Sequence, residues 1–325
     1  MTYRYRRHRH RRCFAPFFLL LPLLMLPFLG EDAADTASPD SKAVAVDSLA
    51  PSSEQTITLT MEKGVVAELP LEEYVLGVTA AEMPSSFHPE ALKAQSVIAR
   101  TYALWKSETG NDRHPESDLC TDAGHCQAYY GESALRERWG SSYDDTYTKM
   151  KSAVDATTGQ VLVYKDGLAQ TYYHSTCGGR TASALEVWGE DIPYLQSVSC
   201  SHDSHAPRYR ETFTIGLSEL PWLLGDGVSP CIAVAEGEEV SHVPTAEGKT
   251  ESGRIQTVSY AGLLFDAKDF RTALGLNSAN FTLEAKGDTL IVTTLGFGHG
   301  VGLCQYGADG MAKAGEDYKS ILAHY

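Results

Sequence analysis

Residues 69–107 read LPLEEYVLGVTAAEMPSSFHPEALKAQSVIARTYALWKS, and this run decides the centre of the fold. Tyr74, Val78 and Ala81 recur at helical spacing behind Pro70, which suits a first turn because its missing N–H would have no helical partner there. Pro84 ends that helix and leaves Glu82 in its last turn, after two alanines. A second helix is predicted from near Pro89 to about Lys106, with Leu92, Val97, Ile98, Tyr102 and Trp105 as core positions and Arg100 off that stripe. Upstream, Thr56–Met61 alternates as a strand, Glu62-Lys63-Gly64 makes a turn, and Val65–Leu69 returns as its partner. The pattern predicts an α+β fold, a single mixed domain of helices and antiparallel sheet over residues 57–325.

Charge along the 325-residue chain is sharply partitioned. Residues 1–12 hold six arginines and no acid, which leaves 21 basic residues against 42 acidic ones in the rest. So acidic a body repels nucleic-acid phosphates and excludes that class of partner. Residues 13–29, CFAPFFLLLPLLMLPFL, carry no charge and follow the arginines directly. They predict an N-terminal membrane helix, with residues 1–12 as a cytoplasmic basic segment and the body outside the cytoplasm. A cleaved signal segment is the other reading; Ala33-Ala34-Asp35 is an imperfect cleavage site, which favours a retained single-pass anchor in the cell membrane. Residues 30–56, rich in Ala, Ser, Asp and Pro, read as a flexible linker.

Four soft-metal ligands fall within thirteen residues: His114, Cys120, His125 and Cys126. Two histidines and two cysteines fill a tetrahedral zinc shell with no position left for water, the arrangement of a structural rather than a catalytic ion. A Cys120–Cys126 disulfide is the rival, since a domain beyond the membrane meets oxidising conditions.

The run from Leu69 to Val75, Ala80-Ala-Glu-Met-Pro84, Glu90–Gln95 and Ala99–Tyr102 closely resembles stage II sporulation protein D and its relatives, which include amidase-enhancer proteins of bacterial cell walls. The resemblance continues through Thr121–Gly131, Tyr172–Thr181, Val187-Trp-Gly189, Phe270–Leu276, Gly298–Gly302 and Gln305–Ala308, in the same order. It implies a peptidoglycan lytic transglycosylase acting in engulfment, with Glu82 as the catalytic acid and base. It also implies zinc at His114, Cys120, His125 and Cys126, a preference for glycan strands stripped of stem peptides, and cooperation with an amidase, sporulation protein P, and a membrane protein, M. A non-catalytic glycan binder that enhances an amidase, and a zinc hydrolase working through the His/Cys cluster, are the other classes of function to weigh.

Read residue by residue, the other candidates keep two readings each. Arg100 holds a sugar or forms a structural ion pair. Tyr172, Tyr173 and His174 lie on a strand feeding the turn Cys177-Gly-Gly179. Tyr172 and His174 are candidate substrate contacts, whereas Tyr173 reads as packing. His299 and Gln305, in and after Gly296-Phe-Gly-His-Gly-Val-Gly302, are candidates for sugar hydroxyls on a loop of unusual backbone angles. A Cys177–Cys200 disulfide is open, with Cys231 and Cys304 as competing partners, and Ala235–Lys249 reads as an exposed hairpin or loop.

Overall fold

The computed structural model describes residues 44–48, 55–110, 112–225, 232–233 and 242–325, with residues 232–233 described by their backbone alone. The predicted membrane segment and the basic residues before it lie outside this set. Among the described residues no helix is long and apolar enough to cross a membrane.

The first strand, β1 (Ala45–Ser48), sits inside the stretch expected to be a linker. It pairs antiparallel with β5 (Gln160–Tyr164), and Val44 and Val46 pack against the core. Two valines two positions apart, and so on one face of a strand, anchor this segment at a sheet edge against a polar composition. The predicted hairpin forms as β2 (Thr56–Thr60) and β3 (Val66–Pro70), and β2 also pairs in parallel with β4 (Leu119–Cys120).

Helix α1 (Leu71–Glu82) follows β3 directly, and α2 (Pro89–Thr109) begins with Pro89 behind a His88 cap whose ring accepts the Glu90 N–H. Helix α2 is the spine of the larger core. It packs on α1, on α4 (Tyr143–Asp155), on β5, and on α8 (Gln305–Lys313) and α9 (Tyr318–His324). Tyr74, Val78, Leu92, Val97, Ile98 and Tyr102 are all buried there, as the periodicity requires. Helix α3 (Glu132–Trp139) leads into α4, and β6 (Gly167–Leu168) extends the β1–β5 sheet.

Residues 210–295 build a second, smaller core. Strand β8 (Arg210–Gly216) joins the antiparallel pair β13 (Phe281–Lys286) and β14 (Thr289–Leu295). The short helix α6 (Leu220–Leu223) precedes β9 (Ile232–Ala233), an edge strand of the antiparallel sheet ordered β10 (Thr245–Lys249), β11 (Ile255–Tyr260), β12 (Leu263–Asp266), β9, which is backed by α7 (Ala267–Ala273). Part of the expected exposed hairpin, Thr245–Lys249, is thus a paired strand.

Two short strands far apart in sequence pair beside the larger core. Strand β7 (Tyr173–His174) pairs in parallel with β15 (Leu303–Cys304), and α5 (Ala184–Trp188) lies between β7 and β8 in sequence. The expected strand before the Cys177-Gly-Gly179 turn thus forms, and its partner is a distant parallel strand. Gly302, at φ +71°, makes this pairing possible, because a Cβ there would sit 2.2 Å from the Tyr172 carbonyl oxygen.

Arg100 resolves to its structural reading. It is fully buried on α2, and its Nε and Nη2 donate to both Glu72 carboxylate oxygens at 2.8 and 2.6 Å. A third donation reaches the Gln160 carbonyl at 3.0 Å. The fork thus ties α1 and α2 to the start of β5, away from the cleft at the C-terminal end of α1. Glu72→Ala leaves that guanidinium buried and unpaired, and urea denaturation is expected to show a loss of about 3 kcal/mol. The double change Glu72→Leu, Arg100→Met is expected to recover most of it, since it removes both charges.

Candidate active site

A cleft of about 510 Å³ opens where the C-terminal end of α1, the loop after β4 and the β7–β15 bridge meet. Glu82, Tyr172, Tyr173, His174, His299 and Gln305 all line it, together with His125 and Cys126. The structure therefore brings together every residue singled out for chemistry or substrate contact except Arg100.

Glu82 is half-buried at the end of α1. Its Oε1 accepts the Ala128 N–H at 2.8 Å, and the Tyr173 hydroxyl donates to the same carboxylate. Burial raises its pKa above the ordinary carboxylate value, and the two donors only partly oppose that rise. Among the described residues lining the cleft, Glu82 is the one carboxylate.

The Ala128 N–H reaches Glu82 because residues 127–130 run close along α1. Gly77 permits the approach: a Cβ there would meet the Tyr129 ring at 2.3 Å and the Tyr130 carbonyl at 2.8 Å. The Tyr130 N–H in turn donates to the Gly77 carbonyl at 3.3 Å, and Tyr74 donates to Gln127 at 3.0 Å.

Two residues before Ala128, the same loop carries the predicted ligand cluster. The donor atoms of His114, Cys120, His125 and Cys126 all lie within 4.8 Å of one another. Cys126 Sγ is 3.3 Å from His114 Nε2 and 3.4 Å from His125 Nδ1, and Cys120 Sγ is 3.4 Å from the same His125 Nδ1. The His114 Nδ1–H donates to the Ser117 carbonyl at 2.9 Å, which turns the lone pair of Nε2 toward the sulfurs. The donor set, its closeness and this outer contact fit a tetrahedral zinc ion.

The opposite wall is aromatic. Tyr172 lies 4.5 Å from Trp188 between ring centroids, Trp188 lies 5.3 Å from His299, and His299 lies 5.7 Å from His174. Burial keeps both imidazoles neutral, His174 well below its ordinary pKa and His299 at about 4. His174 Nδ1 donates to the Val301 carbonyl, and its buried Nε2 has no partner among the described residues. Neutral with Nδ1–H, that ring presents Nε2 as an acceptor. His299 Nδ1 accepts the Val301 N–H at 3.1 Å, and the Gln305 amide donates to the Glu82 carbonyl at 3.3 Å. These two residues are engaged by the protein: His299 buttresses the wall, and Gln305 holds the end of α1.

Sequence reasoning missed three contributors. From the sequence Tyr173 reads as packing, yet its hydroxyl serves Glu82. Trp188 stood only within the block Val187-Trp-Gly189, without a role. The Ala128 amide has no side-chain signature at all.

The comparisons with known proteins agree with one another. A family model described as stage II sporulation protein matches residues 60–164, which span β2 Thr60, Glu82 and the His/Cys loop. The chain is 37% identical to stage II sporulation protein D of Bacillus subtilis (strain 168) over 320 residues, covering 94% of this chain and 90% of that protein. It is 35% identical to the protein of the same name from Bacillus amyloliquefaciens, with the same coverage of both chains. An amidase enhancer of Bacillus subtilis (strain 168) is 28% identical over 77% of this chain and 39% of its own length. The chain belongs to the stage II sporulation protein D family.

Removing the Tyr173 hydroxyl takes a donor from the ionised form of Glu82. Tyr173→Phe is therefore expected to raise the Glu82 pKa further, read as an upward shift of its carboxyl resonance midpoint in a ¹³C NMR titration.

Proposed function

We propose that this chain is a peptidoglycan lytic transglycosylase of sporulation, cleaving the linkage between N-acetylmuramic acid and N-acetylglucosamine. One observation carries the reading: a single, partly buried carboxylate of raised pKa stands in a cleft walled by aromatic rings. An ordinary glycosidase uses two carboxyl groups, one to protonate the leaving oxygen and one to act as nucleophile or activate water. A transglycosylase needs only one. Protonated Glu82 gives its proton to the glycosidic oxygen as the bond to muramic acid C1 breaks. The resulting carboxylate takes the proton of the muramic acid C6 hydroxyl, whose oxygen closes on C1 to form the 1,6-anhydro ring. Water is not consumed, and Glu82 ends protonated again.

Each neighbour has a matching task. Burial favours the protonated form that starts the reaction. The Ala128 and Tyr173 donors hold the carboxylate in place and stabilise it once it has given up its proton. The Tyr172, Trp188 and His299 rings offer a face to the apolar side of a sugar, and His174 Nε2 can accept from a sugar hydroxyl.

Zinc held by His114, Cys120, His125 and Cys126 would fasten the loop that delivers Ala128. Four protein ligands leave no open coordination position, so its contribution is to shape and not to water activation. The proposed setting is the outer face of the membrane, with denuded glycan strands as substrate and an amidase, sporulation protein P, and membrane protein M as partners. A second reading, a glycan-binding enhancer of an amidase, draws on the similarity to the amidase enhancer.

Incubating the full-length protein with denuded glycan and weighing the products separates these readings. The proposal expects 1,6-anhydromuramic ends; reducing ends indicate hydrolysis, and binding without cleavage indicates the enhancer. Glu82→Gln is expected to lower turnover by about 10³-fold. Wild-type activity should fall as pH rises through the raised Glu82 pKa, because the acid is then lost. Ionised Glu82 costs stability above the ordinary carboxylate range, so Glu82→Gln should melt no lower than wild type at neutral pH, and any gain should vanish in acid. Chelation is expected to lower the melting temperature and activity together, the signature of a supporting metal.

A further inference from the structure

A second cluster of metal-ligating side chains lies beside the β7–β15 bridge. Cys177, Cys200, Asp203 and Cys304 are all buried, and their ligand atoms lie within 4.8 Å of one another. Three chain segments distant in sequence supply them: the turn after β7, the loop at 200–203, and the last residue of β15. We propose that these four side chains form a second, structural metal site that takes one zinc ion in a closed Cys₃Asp shell.

Geometry is the first support. A tetrahedral zinc–sulfur shell has edges of about 3.8 Å, given bonds near 2.3 Å. Asp203 Oδ2 stands 3.0 Å from Cys177 Sγ and 3.8 Å from Cys304 Sγ, and all four ligand atoms lie within 4.8 Å of one another, so shifts of about an ångström or less bring them onto such a shell. Four ligand atoms this close leave room for one ion.

The second support is an unpaid charge. Asp203 is 1% exposed, and among the described residues no lysine, arginine or histidine forms an ion pair with it. Its Oδ2 accepts only the Gly178 N–H, at 2.8 Å, besides the Cys177 and Cys304 thiols. A buried carboxylate without a cation is costly, and coordination to a metal is the usual remedy.

The third support is the set of donors aimed at sulfur. Cys304 Sγ accepts the N–H groups of Cys177 and Gly307, both at 3.3 Å, and the Tyr325 hydroxyl lies 3.1 Å from Cys200 Sγ. Such outer contacts stabilise thiolates, the form a metal binds. Gly307 is cut to fit: a Cβ there would meet Cys200 Sγ at 2.6 Å and the Tyr325 hydroxyl at 2.1 Å.

Cys304 adjoins Gln305, which holds the end of α1, and Cys177 follows His174 by three residues. The ion would thus fix the aromatic wall of the cleft, opposite the loop fixed by the first cluster. This placement does not depend on what reaction Glu82 performs.

The test is the zinc content of the full-length protein, purified in detergent under reducing conditions. About two zinc ions per chain are expected in the wild type, and about one in each of Cys200→Ser, Cys304→Ser and the double change Cys120→Ser, Cys126→Ser. Cobalt substituted into that double variant should show thiolate-to-metal charge transfer. A double variant that keeps its native circular dichroism yet holds no metal overturns the proposal, as does a wild type whose intact mass and peptide map reveal a Cys177–Cys200 disulfide. Should a variant fail to fold, X-ray absorption of the wild-type zinc decides: sulfur as more than half of the shell supports the site, and sulfur as half, the value for the first cluster alone, overturns it.

Discussion

The hydrogen bond from the Ala128 amide to Glu82 is the contact around which the site is built. It joins the end of α1 to a loop more than forty residues later, and it does so with a backbone donor, whose position is set by the fold of the loop. Gly77 lets that loop lie against α1, and Cys126 of the first ligand cluster stands two residues upstream of Ala128. The same burial that raises the Glu82 pKa makes the bond matter, because a carboxylate withdrawn from water depends on the few donors left to it. The proton affinity of the carboxylate and the architecture are therefore coupled at one oxygen atom.

The helices were legible because their apolar spacing is local and strong. Pro70, Pro84 and Pro89 punctuate them, and Leu92, Val97, Ile98 and Tyr102 occupy the core positions that their periodicity assigns. Glu82 was identified through the resemblance of its surroundings, since a glutamate at a helix end carries no signal of its own. Arg100 shows the opposite difficulty. Its charge suggested a ligand, but only the three-dimensional packing of α1 on α2 reveals Glu72 as its partner. Strand β1 escaped notice because its pairing with β5 spans more than a hundred residues and rests on two valines in a polar stretch.

The two ligand clusters illustrate the same limit. His114, Cys120, His125 and Cys126 are close in sequence, so their spacing alone announces a shell. Cys177 and Cys304 are 127 positions apart, and Asp203 gives no hint of joining them. Long-range parallel pairing of β7 with β15 is what assembles that second group. If both clusters are filled, the cleft has a clasp on each wall, and the helix end bearing Glu82 is held between them through Ala128 on one side and Gln305 on the other.

The most direct measurement of the central claim is a crystal structure of the Glu82→Gln protein with a bound denuded glycan oligomer. The account predicts a glycosidic oxygen within hydrogen-bond distance of the residue 82 side chain, with the muramic acid C6 hydroxyl on the same side and a sugar ring against Tyr172 and Trp188. A glycan seated elsewhere, or one whose scissile oxygen faces a different acid, would contradict it.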